Sequence, residues 1–190
     1  ADFCGSGASG RNGGQVHSWF AEIDMLHALV GEDDALMLCR ATADAIEELN
    51  DLQASGTIDM DLRLDGWLWT ASSTAQEGAW TAATELCRAL GEDRFRPLRR
   101  EDILRRTGSA VSYVGILEER AGTVQPAKLA IGLRRLALSR GIVLHERSPV
   151  IEIVPGLRPK LRTAEGTLTA GKVVLAANAW LSAIPELHPY

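Results

Sequence analysis

Five glycines fall within ten residues in the run Gly5-Ser6-Gly7-Ala8-Ser9-Gly10-Arg11-Asn12-Gly13-Gly14. Glycine has no Cβ, so such a backbone can lie directly against a ligand. A glycine-rich turn at a helix N-terminus also aims unpaired N–H groups at an anion. Phosphate or pyrophosphate is the natural guest. A flexible linker is the alternative, although Arg-Asn between glycines is not linker composition. The run is not GxxxxGK[ST], and no strand precedes it as the GxGxxG fingerprint requires. That disfavours a kinase-like phosphate site.

A second candidate is Val174-Leu175-Ala176-Ala177-Asn178-Ala179-Trp180. It reads as a buried strand that ends in small residues and a turn. In open α/β sheets, ligands sit beyond the carboxyl ends of strands. A plain core strand is the competing reading. A third candidate is aromatic: Trp67, Trp69 and Tyr113. Trp67 and Trp69 are two apart on an expected strand and so share a face. Leu62, Leu64, Gly66 and Leu68 take the other face. Core packing competes with a pocket wall for amines, which aromatic faces can hold.

Other groups carry less. His17, His27, His145 and His188 are far apart and have no carboxylate or cysteine at ligand spacing. They read as ordinary histidines. Asp59, Asp61 and Asp65 read as a solvated edge. Arg94, Arg96, Arg99, Arg100, Arg105 and Arg106 read as a solvated basic face, with an anionic partner as the alternative. Cys4, Cys39 and Cys87 are odd in number and lack CxxC spacing. Reduced thiols in a cytoplasmic protein follow most simply, with no metal site.

The elements that must position these groups follow from hydrophobic period. Helices are expected near 16–29, 33–54, 74–90 and 99–106, and another opens at Pro126. The stripe of the second is Leu38, Ala45, Leu49 and Leu52. Strands are expected at 61–71, 111–117, 142–145 and 150–154. Glu165-Gly166 turns a hairpin, and the apolar run 173–177 reads as a strand buried on both faces. The order suggests an α/β nucleotide-binding domain interrupted by an antiparallel, α+β insertion.

Composition bounds the rest. The 190 residues are 46% hydrophobic and 24% charged, which suits a globular chain rather than a disordered one. No apolar run reaches the roughly 18 residues of a membrane span. A net charge of −5 argues against a general nucleic-acid binder. The start lacks the pattern of a signal peptide, and both ends read as cut points in a longer protein.

Three segments together carry a resemblance: ASGRNGGQV, GTVQPAKLAIGLRRLALSRGIVLHERSPV and KVVLAANAWLS. They are similar, in order and spacing, to the D-amino-acid oxidase/glycine oxidase family of FAD-dependent oxidoreductases. The Arg-Asn-Gly-Gly variant resembles the γ-glutamylputrescine oxidase-like branch. The resemblance implies an internal fragment of a Rossmann-like FAD-binding domain with an inserted antiparallel-sheet substrate domain. It gives 1–54 and 122–190 to the FAD-binding part and 55–121 to the substrate part. The family's first βα unit and its C-terminal part would be missing partners.

Residue by residue, the resemblance implies noncovalent FAD along Ser9, Gly10, Arg11, Asn12, Gly13 and Gly14. It puts the adenine at Val150 and the dinucleotide beside Ala176, Ala177 and Trp180. Trp67, Trp69 and Tyr113 would border a small amine or amino-acid substrate. The implied reaction is hydride transfer from the amine-bearing carbon to flavin, with no catalytic acid or base required. The piece alone is expected to be inactive. Without a neighbouring strand, the run 173–177 is expected to expose apolar surface. A noncatalytic nucleotide- or protein-binding module on the same fold is the alternative.

Overall fold

The computed structural model describes residues 2–183. His188 lies outside the described residues. The chain divides into one compact unit of residues 4–143 and a second unit made of the rest.

In the first unit the glycine run makes a short 3-10 turn, Ala8–Gly10, and leads into strand β1, Gln15–Val16. A helix expected from residue 16 starts later. Val16 is drawn into pairing, and the Ser18 hydroxyl accepts the N–H of Phe20 to cap the 3-10 turn Trp19–Glu22. Helix α1 then runs Ile23–Val30, and Gly31, at φ 85°, breaks the chain before α2, Glu32–Ala54. Three acids open α2, where they favour the helix dipole. Its fully buried residues are Ala35, Cys39 and Ile46; of the expected stripe, Leu49 and Leu52 pack on Ile58, Met60 and Leu62 and Leu38 is half-buried, whereas Ala45 is exposed. Cys39 meets Phe20, Ile23, Ala83 and Cys87 in one core.

The expected strand 61–71 pairs fully only as β2, Trp67–Ala71. Asp61 (φ 52°) and Gly66 (φ 97°) bend the preceding segment, which reaches Thr123 through a single bridge from Arg63. Gly78 (φ 74°) divides the expected helix 74–90 into a 3-10 turn, Thr74–Gln76, and α3, Thr81–Ala89. Strand β3, Phe95–Leu98, is not among the expected elements. Its Pro97 is tolerated because β3 is an edge strand, paired among the described residues only with β4, Val114–Glu118. Helix α4, Arg100–Thr107, lies between these two strands in sequence. The sheet order is β2-β4-β3, all antiparallel, with Trp67 opposite Glu118 and Leu68 opposite Leu117. Leu68, Leu98 and Leu117 pack with Ile103 of α4.

Strand β5, Gly122–Thr123, pairs with β1. Helix α5, Pro126–Ser139, follows, with Pro126 at its start and the Gln125 side chain accepting the N–H of Lys128. Leu129 and Leu136 of α5 pack on Ile58, Met60 and Leu62, while Leu133 of the expected apolar face is exposed.

The second unit is a three-stranded antiparallel meander: β6, Glu152–Val154; β7, Lys160–Arg162; β8, Thr167–Thr169. Residues 142–145 form no strand, against expectation. Nor do 173–177, where Val174 is 87% exposed. Among the described residues no strand lies beside this run, so its backbone has no ladder to join. The exposed apolar surface expected of it is present. The turn after it is a 3-10 turn, Asn178–Ala183.

Candidate functional site

The glycine loop is braced from within. The Asn12 amide donates to the carbonyls of Ala8 at 2.9 Å and Ser9 at 3.3 Å, and its carbonyl accepts the Gly14 N–H at 2.8 Å. The inner side of the loop is filled. A Cβ at Gly10 would run into the Gly5 carbonyl, and one at Gly14 (φ 70°) into the Val124 carbonyl. The outer side is open: at Gly7 and Gly13 a Cβ would meet nothing within 4 Å. Arg11 is exposed there, and among the described residues its guanidinium has no ion pair. The open face therefore combines exposed backbone with one cation. That is the chemistry an anionic dinucleotide needs, so the loop fits such a group.

The other residues expected at a cofactor lie in the second unit. Val150 is 49% exposed, Trp180 is 81% exposed, and Ala176 and Ala177 are exposed. Ser9 is exposed at the loop's 3-10 turn.

The aromatic face is real and larger than expected. Trp67 and Trp69 are 5.9 Å apart between ring centroids. Trp80, preceding α3, meets Trp69 edge-on at 6.1 Å. His17 stacks on Trp67 at 4.7 Å, with the ring planes 14° apart. All four rings are half-buried. Tyr113 makes no ring pair with them among the described residues. Its hydroxyl donates to the Glu77 carboxylate, which pushes the phenol up from its ordinary value.

His17, Trp80 and Glu118 have no local signal in the sequence. Glu118 is a buried carboxylate that accepts the Ser18 N–H at 3.3 Å and the Ser18 hydroxyl. Its Oε2 is buried without a partner, as is Oε2 of Glu22. Burial raises both carboxyls above the usual range, against the opposing pull of His17 and, for Glu118, of the Ser18 bonds. Because Trp67 faces Glu118 in the register, this clasp joins the chain leaving the glycine loop to the aromatic sheet.

The basic cluster resolves into local structure. Arg94 pairs with Glu92 at 2.8 Å and lies over the Phe20 ring, and Arg96 pairs with Glu119 at 2.8 Å. Arg99 and Arg105 both reach Asp102, while Arg100 and Arg106 donate to carbonyls. Lys128 bridges Asp59 and Asp61, and Asp65 pairs with Arg63. A cleft of about 370 Å³ beside β3 is lined by these mixed charges, including Arg94, Arg96 and Arg120. Burial pushes the Cys39 thiol up to about 11 and Cys87 up to about 12, so neither is a nucleophile at neutral pH. Among the described residues no group of three or more His, Cys, Asp or Glu could hold a metal. No described helix is long and apolar enough to cross a membrane.

The family model "FAD dependent oxidoreductase" matches residues 1–190. The γ-glutamylputrescine oxidoreductase of Escherichia coli K12 is 32% identical over 178 residues, 93% of this chain and 42% of that protein. A probable oxidoreductase of Haemophilus influenzae is 24% identical, over 96% of this chain and 43% of its own length. The chain thus spans less than half the length of these relatives. In fold it is similar to the glycine oxidase of Geobacillus kaustophilus, with a TM-score of 0.66, 22% identity, and coverage of 97% of this chain and 49% of that one. It is also similar to the L-proline dehydrogenase of P. horikoshii, with a TM-score of 0.73, 15% identity, and coverage of 97% and 46%.

Proposed function

Since the chain belongs to the family of FAD-dependent oxidoreductases, we propose that it is the part of such an enzyme that carries one phosphate-facing loop and one wall of an amine pocket. The whole protein would oxidise the C–N bond of a small amine or amino acid. The relative named for γ-glutamylputrescine supports that substrate class. The observation that carries the reading is the glycine loop, filled on its inner side and open at Gly7 and Gly13.

Ser9 to Gly14 would face the pyrophosphate of noncovalent FAD, held by the Arg11 guanidinium and by the backbone N–H groups of Ser9, Asn12 and Gly13, since those of Gly10, Arg11 and Gly14 bond within the loop. Asn12 would keep the loop in shape rather than touch the ligand with its side chain. Val150, Ala176, Ala177 and Trp180 would border the dinucleotide. When bound, FAD supplies the redox chemistry by taking up a hydride from the amine-bearing carbon. Trp67 and Trp69 would exclude water and hold the amine against their π faces, with Tyr113 at the edge. Residues 1–54 and 122–190 would then serve a Rossmann-like cofactor domain and 55–121 a substrate domain. A cytoplasmic location agrees with the thiols of Cys39 and Cys87, which form no disulfide. The net charge of −5 argues against a general nucleic-acid binder.

The complete gene product tests this. It is expected to purify with flavin absorbance that bleaches when a primary amine is added without oxygen. A colourless protein that binds nucleotide without redox change would instead support the noncatalytic module.

A further inference from the structure

His17 is held in one orientation. Its ring lies on Trp67, and its Nδ1 is 3.0 Å from the Ser18 carbonyl oxygen. A carbonyl only accepts, so in the neutral imidazole Nδ1 carries the hydrogen and Nε2 carries the lone pair. Among the described residues Nε2 has no hydrogen-bond partner. The backbone next to the ring is anchored by Ser18, which is buried and hydrogen-bonded twice to Glu118.

The charges facing this spot have one dominant sign. Glu22, from the turn that follows, and Glu118, from β4, both interact electrostatically with His17. Asp24 adds to Glu22, and Arg94 is the cation that faces Glu118. A ligand ammonium on the aromatic row would meet a π surface and one bare nitrogen lone pair, with the Glu22 and Glu118 carboxyl groups buried beneath and acting only through their field.

We propose that His17 Nε2 is the proton acceptor for the ammonium form of a primary amine held against Trp67 and Trp69. The proposal rests on the amine-oxidoreductase reading. A primary alkylamine is protonated at neutral pH and has no nitrogen lone pair to drive loss of hydride from the adjacent carbon. In the step, one N–H bond of R–NH₃⁺ breaks and its electron pair stays on the amine nitrogen. The proton bonds to Nε2, leaving a neutral amine and an imidazolium. No electrons are transferred, and charge is conserved.

Two probes on the ¹⁵N-histidine-labelled chain test it: butylammonium, and N,N,N-trimethylbutylammonium, which keeps the charge but has no N–H. Tryptophan fluorescence reports binding to the rings, and the His17 ¹⁵N resonances, assigned by their loss in His17→Gln, report the lone pair. Both probes are expected to quench fluorescence, and only butylammonium is expected to shift Nε2. Quenching by both with Nε2 unmoved overturns the His17 proposal and leaves the amine wall standing. Quenching by neither removes the amine site itself, and the proposal with it. In the flavin-loaded gene product, His17→Gln is expected to lower kcat for a primary amine about 10²-fold with unchanged flavin content. An unchanged kcat and pH profile overturns the proposal.

Discussion

Ser18 donates two hydrogen bonds, from its backbone N–H and from its hydroxyl, to the same oxygen of Glu118, one hundred residues away in sequence. Both residues are buried. The pair ties the segment after the glycine loop to the end of β4. Glu118→Ala strands two donors in the interior and is expected to cost about 1–3 kcal/mol, measured by urea unfolding of the chain.

The same contact predicts a pH dependence. Burial holds the folded Glu118 carboxyl above its ordinary value even though Ser18 pulls it down. The folded state therefore binds this proton more tightly than the unfolded chain does. The resulting stability is complete below the unfolded pKa and is lost as pH rises through the folded one. Glu118→Gln is expected to remove this loss while keeping an acceptor for Ser18. Unfolding curves from about pH 4 to pH 7 that fall equally in variant and parent would contradict this.

Glu92 works in the opposite direction. Burial pushes its carboxyl up, but Arg40 at 2.7 Å and Arg94 at 2.8 Å outweigh this and hold it below the ordinary value. Its stabilisation is present above the unfolded pKa and is lost as pH falls through the folded one. Glu92→Gln weakens two charge-assisted bonds and is expected to cost about 1–3 kcal/mol at neutral pH. The gap between variant and parent is expected to narrow in acid, which thermal unfolding at several pH values would follow.

Gly14 and Gly13 separate fold from ligand. At Gly14, a positive φ and the nearby Val124 carbonyl leave no room for a side chain. Gly14→Ala is expected to destabilise the chain by about 1–3 kcal/mol. Gly13 faces open space, so Gly13→Val is expected to leave the chain's stability nearly unchanged. In the complete protein the same substitution is expected to abolish flavin absorbance, because the branched Cβ would fill space meant for the cofactor. Retained flavin would show that the cofactor does not lie on this face.

The parts of the fold legible in the sequence are those with strong local causes. Acids at 32–34 and Pro126 mark two helix starts to within a residue or so, and Glu165-Gly166 marks a hairpin that forms. What escapes the sequence depends on distant partners. Val16 has a helical pattern but pairs with β5, and β3 is hidden by a Pro97 that only an edge strand tolerates. The run 173–177 has a strand's composition but no neighbour among the described residues. In the candidate site, the same-side placement of Trp67 and Trp69 follows from the period of two. His17, Trp80 and Glu118 cannot be found that way, because only the tertiary fold brings residues so far apart in sequence to the same sheet.

Trp69 decides between wall and core. It is half-buried, with its ring near both Trp67 and Trp80, while Leu68 on the opposite face of its strand packs with Leu98, Leu117 and Ile103 of α4. A half-exposed ring beside two others loses modest packing when truncated, yet its removal opens a gap in the aromatic row. Trp69→Ala in the complete protein is therefore expected to raise KM for a primary amine about tenfold, the loss of about 1.4 kcal/mol of ring contact. Flavin content is expected to stay the same, since the glycine loop is braced by its own Asn12 and not by this ring. If the variant instead loses stability sharply and the remaining folded enzyme keeps its KM, Trp69 is core and the amine wall lies elsewhere.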